Sequence, residues 1–104
     1  MTHLTIVVKP FRAEAVLSVI SEFGVTICTV REAKGYGRQK GYLDQYRGEE
    51  FSAAYLPKVE ITVWVESERY EELAEQIAKV ARTGRIGDGK LFAVPGAGPG
   101  MIEF

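Results

Sequence analysis

The order of two hydrophobic patterns along the chain limits the folds open to it more than any other feature. Residues 2–9 alternate apolar and polar side chains and are rich in β-branched residues, which is typical of a strand. The run that follows Pro10 instead places Val16, Ile20 and Phe23 on one side at helical spacing. In chain order the patterns predict a strand at 2–9, a helix at 12–23 ended by Gly24, strands at 25–35 and 58–66, a helix between caps at Ser67 and Gly84, and a strand at 90–94.

This βαββαβ order predicts an α+β fold of the ferredoxin-like type, in which two helices cover one face of an antiparallel sheet. The length of 104 residues is enough for one domain of this kind. The other face of the sheet would carry Val7 and Trp64 among polar neighbours, and we expect that face to be a subunit interface. The alternative is a single Trp64 that is partly covered by its neighbours.

Composition and charge exclude several classes of function. The formal net charge is -1, whereas proteins that mainly bind nucleic acid or an anionic membrane usually carry a clear basic excess. The single Cys28 has no partner for an internal disulfide, and no cluster of Cys and His offers a metal site. No apolar run approaches the roughly 18 residues of a membrane span, and the N-terminus lacks the pattern of a secretory signal. We therefore expect a cytoplasmic protein without a nucleic-acid partner.

Two segments do not fit the core of such a fold. The connection at 36–57 is far longer than the usual hairpin loop of about two to five residues, and it is rich in Gly, Tyr and charged residues. These properties suit contact with another protein better than burial. The tail at 95–104 contains too many Gly and Pro residues for regular structure.

The segment from Gly84 to Lys90 has the spacing of a phosphate-binding P-loop, G-x-x-x-x-G-K. Leu91 stands where Ser or Thr would hold magnesium, and the segment follows a predicted helix and leads into a strand, the reverse of the P-loop order. It is therefore not an NTPase signature. Its glycines and the basic Arg82, Arg85 and Lys90 still suit an anion held by backbone amides. The alternative is a glycine-rich turn with solvated basic side chains.

Five motifs together resemble one known family. They are, in order, "VKPF" at 8–11, "EAKGYGRQKG" at 32–41, "YRGEEF" at 46–51, "LPKVEI" at 56–61 and "TGRIGDGKLF" at 83–92. Their order and separations are similar to those of the PII signal transduction proteins, and the similarity extends from residue 4 to about residue 94. The resemblance implies a single PII domain over 1–104, with a T-loop at 37–55, a glycine-rich B-loop at 82–90 and a C-terminal tail at 95–104.

The resemblance also implies an assembly and a ligand. PII proteins are homotrimers that bind ATP or ADP in the clefts between neighbouring subunits, and AMP is a further candidate here. Their T-loop contacts a protein target, which in this case could be a membrane transporter. By position, the residues expected around the nucleotide phosphates are Arg38, Gly87, Asp88, Gly89 and Lys90. Those expected around the adenine and ribose are Val7, Gly35 and, from the adjacent subunit, Thr29.

The same resemblance places an effector beside the nucleotide. Gln39 corresponds to the family residue that helps to hold magnesium and 2-oxoglutarate beside ATP, and Lys58 to the residue that pairs with a carboxylate of that acid. An ammonium group close to bound polyphosphate can attract a second anion bridged by the metal. The alternative for Lys58 is a strand-edge lysine that keeps neighbouring edges apart.

The chain departs from the family pattern at positions that carry regulation or phosphate contacts. Phe51 replaces the tyrosine that receives a nucleotidyl group in many members, and Glu49 replaces a serine phosphorylated in some, so we expect regulation by ligand alone. Met101 and Glu103 stand where the family usually has two arginines that clamp the nucleotide of the neighbour, and Thr62 replaces an acidic residue near the ribose. These departures keep open a PII-like branch such as the carboxysome-associated proteins.

The leading interpretation is a non-enzymatic sensor in nitrogen metabolism that responds to adenine nucleotide and 2-oxoglutarate. Its alternative is a PII-like sensor of inorganic carbon that responds to bicarbonate with ADP or AMP. An enzyme such as a slow ATPase is disfavoured, because His3 is the only histidine and Asp88 the only carboxylate near the expected phosphates. A purely structural trimer would not explain the loop at 36–57.

Overall fold

The elements of the computed structural model follow the predicted order, and the structure describes residues 1–25, 27–35, 56–85, 88–96 and 104. They are β1 (Thr2–Val8), a 3-10 turn (Pro10–Arg12), α1 (Ala13–Phe23), β2 (Cys28–Gly35), β3 (Leu56–Val65), α2 (Tyr70–Ala81) and β4 (Gly89–Pro95). The predicted α+β fold of the ferredoxin-like type is confirmed. The second strand begins three residues later than the expected 25–35, at Cys28.

The four strands form one antiparallel sheet in the order β2-β3-β1-β4. β1 lies in the middle of the described sheet, where Ile6 pairs with Ile61 of β3 on one side and with Leu91 of β4 on the other. β2 and β4 are therefore the two edges. This arrangement puts Gly35 and the start of β3 at the same end of the sheet as the start of β4.

The hydrophobic core lies between one face of the sheet and the two helices. β1 alternates buried and half-buried residues along its whole length, because successive strand residues point to opposite faces. The two helices pack on this face, and α1 buries the predicted residues Val16, Ile20 and Phe23. The buried core residues are Leu4, Ile6, Val8, Val16, Ile20, Phe23, Ile61, Val63, Val65, Leu73 and Ile77.

The helix ends agree with the sequence only in part. Gly24 ends α1 as expected. It has a left-handed φ of 92°, and its amide donates a hydrogen bond to the carbonyl of Ser21 at 3.1 Å. The predicted N-cap of α2 is wrong, because the hydroxyl of Ser67 is hydrogen-bonded to that of Thr2 at 2.9 Å and the helix begins at Tyr70. The prediction that Gly84 caps the C-terminus of α2 is also wrong.

The chain leaves α2 earlier than the position of Gly84 suggested. Arg82 occupies the C-cap with an extended backbone, and its amide bonds the carbonyl of Ala78 at 3.1 Å. Gly84, with a φ of 83°, lies in the turn that follows. Its amide is bound by the side chain of Asp88, so its left-handed conformation belongs to the connection with β4. Neither α1 nor α2, the α-helices within the described residues, is long and apolar enough to cross a membrane.

Candidate nucleotide-binding site

Strand pairing brings several of the predicted site residues to one end of the sheet. Lys90 pairs with Val7, and Gly89 pairs with Val8, the last residue of β1. On the other side of β1, Val8 pairs with Val59, whose neighbour is Lys58. A region of glycine backbone and lysine side chains therefore forms where β1 ends and β3 and β4 begin.

The turn between α2 and β4 is organised by the carboxylate of Asp88. Oδ2 accepts hydrogen bonds from the backbone amides of Thr83 at 2.6 Å, Gly84 at 2.9 Å and Arg85 at 3.4 Å. Oδ1 accepts a hydrogen bond from the hydroxyl of Thr83. Successive amides that converge in this way form a concave anion site, and here a carboxylate of the same chain fills it.

These contacts set the charge of Asp88. Hydrogen bonds from Thr83, first from its hydroxyl and then from its amide, hold the pKa of the carboxyl well below its usual range, and Lys9 and Gly84 act in the same direction. Asp88 is therefore an anion at neutral pH. Because a carboxylate with a lowered pKa is a weak base, Asp88 is poorly suited to activate a water molecule.

Lys9 is the charged partner of this carboxylate, a role that was not predicted from the sequence. Its Nζ lies 3.2 Å from Oδ1 of Asp88 and donates to the hydroxyl of Thr83 at 3.4 Å. Both Lys9 and Thr83 stand in motifs that carried the family resemblance, "VKPF" and "TGRIGDGKLF". The available signal was a lysine at the end of a strand, next to Pro10, but nothing in the sequence showed which carboxylate it meets.

Lys58 lies close enough to Lys9 and Asp88 for their charges to affect its pKa. The residue is only 5% exposed. Burial is the main cause that lowers the pKa of its ammonium group, the charge of Lys9 lowers that pKa further, and the charge of Asp88 raises it. The strand-edge alternative fits less well, because β3 is an inner strand of the described sheet.

The backbone conformation at position 89 and the close approach of β1 require a glycine there. Its φ is 141°, a conformation that L side chains rarely adopt, and a Cβ at this position would overlap the carbonyl oxygen of Val7. The start of β4 therefore lies directly against the end of β1. Lys90, the next residue, has an exposed side chain and remains available to a ligand.

Thr29 lies far from Lys90 within one chain. It is on β2, at the opposite edge of the sheet from β4, and it pairs with Thr62 of β3. The hydroxyls of Thr29 and Thr62 are hydrogen-bonded to each other. Adjacent strands are about 4.8 Å apart, so three strand spacings separate the two edges by about 14 Å. Within one chain, Thr29 and Lys90 therefore lie on opposite edges of the sheet.

The face of the sheet opposite the helices combines apolar and polar groups. The rings of His3 and Trp64 pack with their centroids 4.7 Å apart, so Trp64 is partly covered by a neighbour of its own chain. Phe92 and Val94 also lie on this face, where they are 52% and 58% exposed, and their place there was not predicted from the sequence. Nη2 of Arg31 lies 2.7 Å from Oε1 of Glu60, an ion pair on the same face.

Other predicted residues lie outside the described part of the chain: Arg38, Gln39, Glu49, Phe51, Gly87, Met101 and Glu103. The whole T-loop at 37–55 and most of the tail at 95–104 lie there as well. Within the described ranges, no group of three or more His, Cys, Asp or Glu side chains could hold a metal ion.

The fold and the site together define a small ferredoxin-like domain with a glycine-rich turn, organised around an anion, beside an exposed lysine. Residues 1–97 match the family model of the nitrogen regulatory protein P-II. The chain belongs to this family.

Curated relatives agree with the family match. The nitrogen regulatory protein GlnK of Escherichia coli is 45% identical over 92 residues, which cover 88% of this chain and 82% of the relative. The nitrogen regulatory protein P-II of Azospirillum brasilense is 45% identical over 95 residues, covering 91% and 85%. The P-II protein of Rhizobium meliloti is 45% identical over 92 residues, covering 88% and 82%. The family match and the names of these relatives support a role in signal transduction and nitrogen regulation.

Proposed function

We propose that this chain is a homotrimeric sensor in nitrogen regulation that binds ATP or ADP between its subunits. The observation that carries the proposal is the exposed Lys90, which follows a turn shaped around an anion and pairs with Val7 at the end of the sheet that also holds Lys58. An exposed ammonium group at the end of a glycine-rich turn suits polyphosphate.

The phosphates would bind to the later part of the turn. Asp88 already occupies the amides at 83–85, so Gly87, Gly89 and Lys90 are the residues left for a ligand, with Arg38 added from the T-loop. Lys9 and the amides offset the negative charge of Asp88, which reduces its repulsion of phosphate.

The remainder of the nucleotide would meet a second subunit. Thr29 lies on the edge of the sheet opposite Lys90, and the Thr29 beside this ligand would come from the neighbouring chain. The apolar groups on the open face, Trp64, Phe92 and Val94, are the surface on which the chains would associate. Val7 and Gly35 lie on the strands that would border the base and ribose.

The effector would be 2-oxoglutarate. Lys58 is a buried ammonium group whose pKa is lowered by burial and by Lys9, and a carboxylate ligand would favour its charged form. Gln39 would help to hold magnesium beside the ATP phosphates, where the metal joins the two anions. The ligands would set the conformation of the T-loop, which contacts a protein target such as a membrane transporter.

A second candidate function is a sensor of inorganic carbon that binds bicarbonate with ADP or AMP. The observation in its favour is the presence of Met101 and Glu103 where the P-II family usually has phosphate-binding arginines. Without those arginines the γ-phosphate and its metal would be held less firmly. A smaller anion could use the same lysines beside ADP. The names of the relatives favour nitrogen regulation.

Calorimetric titration separates the two functions. ATP and ADP are each titrated into the protein with and without 2-oxoglutarate or bicarbonate, in the presence of magnesium. Coupling between two ligands is reciprocal. A true effector therefore changes the affinity for the nucleotide by the same factor by which the nucleotide changes the affinity for the effector. Nitrogen sensing predicts that 2-oxoglutarate tightens ATP binding. If it leaves ATP affinity unchanged while bicarbonate strengthens ADP binding several-fold, the carbon-sensing function replaces it.

A further inference from the structure

We propose that Lys9 and Thr83 are positioning residues of the phosphate-binding turn. Acting through Asp88, they fix the backbone at 83–85 against the residue that leads into β4, where Lys90 would meet a polyphosphate. The inference rests on the proposed nucleotide binding and adds two residues to it that do not themselves touch the ligand.

Three separate segments of the chain meet at one carboxylate. Lys9 follows β1, Thr83 follows α2, and Asp88 immediately precedes β4. Oδ1 of Asp88 forms an ion pair with the ammonium group of Lys9 at 3.2 Å. The same oxygen accepts a hydrogen bond from the hydroxyl of Thr83. Lys9 also donates to Thr83, which closes a three-membered network. The turn is thereby tied to the end of the central strand by side chains as well as by strand pairing.

The direction of the Asp88 side chain matters for the ligand. Its oxygens accept from the first part of the turn, so the carboxylate is turned back on its own loop. If Lys9 were lost, one of the charges that offset this carboxylate would be lost as well. The anion would then lie beside the expected phosphates with less compensation, and the turn would lose its link to β1.

Asp88 lies close to Lys90 along the chain. The two residues are separated only by Gly89, whose backbone lies against the carbonyl of Val7. Lys90 itself is held by its pairing with Val7, so Asp88 acts on the backbone that leads into this strand pair. Interacting groups held in one geometry reduce the ordering that a ligand must impose, so a fixed turn binds phosphate more tightly than a loose one.

The test compares Lys9→Met with Lys79→Met, which also removes one positive charge but at an exposed position of α2. Lys9→Arg asks whether another cation restores the contact, and Thr83→Val removes only the hydroxyl. Two quantities are measured for each protein: amide hydrogen exchange across 83–89 without nucleotide, and calorimetric affinity for ATP and ADP.

Positioning predicts that Lys9→Met speeds exchange of the amides bound by Asp88 and weakens nucleotide binding by about tenfold, the effect of losing one charge-assisted hydrogen bond. Thr83→Val should act in the same direction, Lys9→Arg should recover most of both properties, and Lys79→Met should change neither. Thr83→Val keeps the test decisive if Lys9→Met does not fold.

Two results would overturn the inference. In the first, Lys9→Met exchanges and binds like Lys79→Met. In the second, affinity falls while amide exchange in the turn stays the same, which would mean that Lys9 acts on the ligand directly. If the unchanged protein binds neither ATP nor ADP, the proposed function fails, and the exchange measurement alone still decides whether Lys9 and Thr83 hold the turn.

Discussion

Gly89 shows how a single residue joins the sheet to the site. With φ at 141° and the carbonyl oxygen of Val7 in the place of a Cβ, Gly89→Ala must distort either β1 or β4. We expect a loss of about 3 kcal/mol or more in the free energy of unfolding. Gly84→Ala is the matched control, because Gly84 has a φ of 83° but open space around it, and it should lose about 1–2 kcal/mol. Equal losses in chemical denaturation would contradict the close approach of the strands.

Asp88 predicts a pH dependence of stability. Its pKa is lower in the folded protein than the value of about 3.9 in an unfolded chain, so folding favours the charged form. The stabilisation is present above about pH 4 and is lost as the pH falls through the folded pKa. The unchanged protein should therefore melt above Asp88→Asn at neutral pH, and the gap should narrow as the pH drops below about 4. A gap that stays constant across thermal melts in this range would show that the carboxylate charge is unimportant.

At the scale of elements, the connection between β3 and α2 carries a contact that the sequence did not reveal. The hydroxyls of Thr2 and Ser67 are 2.9 Å apart, and Thr2 is only 1% exposed. We expect Ser67→Ala to lower the free energy of unfolding by about 1 kcal/mol. In a double-mutant cycle with Thr2→Val, the two changes should be coupled by about 0.5 kcal/mol or more. Additive effects would contradict a contact between the two hydroxyls.

The elements that could be predicted from the sequence are those whose pattern reports burial. Ile61, Val63 and Val65 alternate because one face of β3 is buried, and Leu73 and Ile77 follow the period of a helix for the same reason. The interpretation of Ser67 as a cap failed because the partner of a hydroxyl can lie anywhere in the chain. Local sequence cannot show such a partner.

The candidate site also has features that the sequence predicted and features that it did not. The family resemblance placed Asp88 and Lys90 at a phosphate site, and strand pairing does put Lys90 beside Val7. It did not show that the carboxylate of Asp88 faces its own loop or that Lys9 is its partner, because these contacts join residues far apart in sequence. Side-chain direction depends on the tertiary structure and is not encoded in motif spacing.

At the scale of the whole molecule, the open face of the sheet predicts association. The face holds the exposed Phe92 and Val94 and the partly covered Trp64. We expect a trimer by light scattering on a sizing column, and we expect Val94→Glu to shift it towards monomer, because an unpaired carboxylate would be buried. Lys79→Glu, which alters charge on an exposed part of α2, should remain trimeric. A monomer at micromolar concentration, or an unaffected Val94→Glu trimer, would contradict this interface.

The central claim is that adenine nucleotide binds through Lys90 beside the turn at 83–89, and calorimetric titration of ATP tests it most directly. The titration is run on the unchanged protein, on Lys90→Ala and on Lys79→Ala as the control for charge. Loss of a charge-assisted hydrogen bond of about 1.5–3 kcal/mol predicts that Lys90→Ala weakens ATP binding at least about tenfold, while Lys79→Ala binds normally. Equal ATP affinity in all three proteins would contradict the account and would leave this segment as a glycine-rich turn with a solvated lysine.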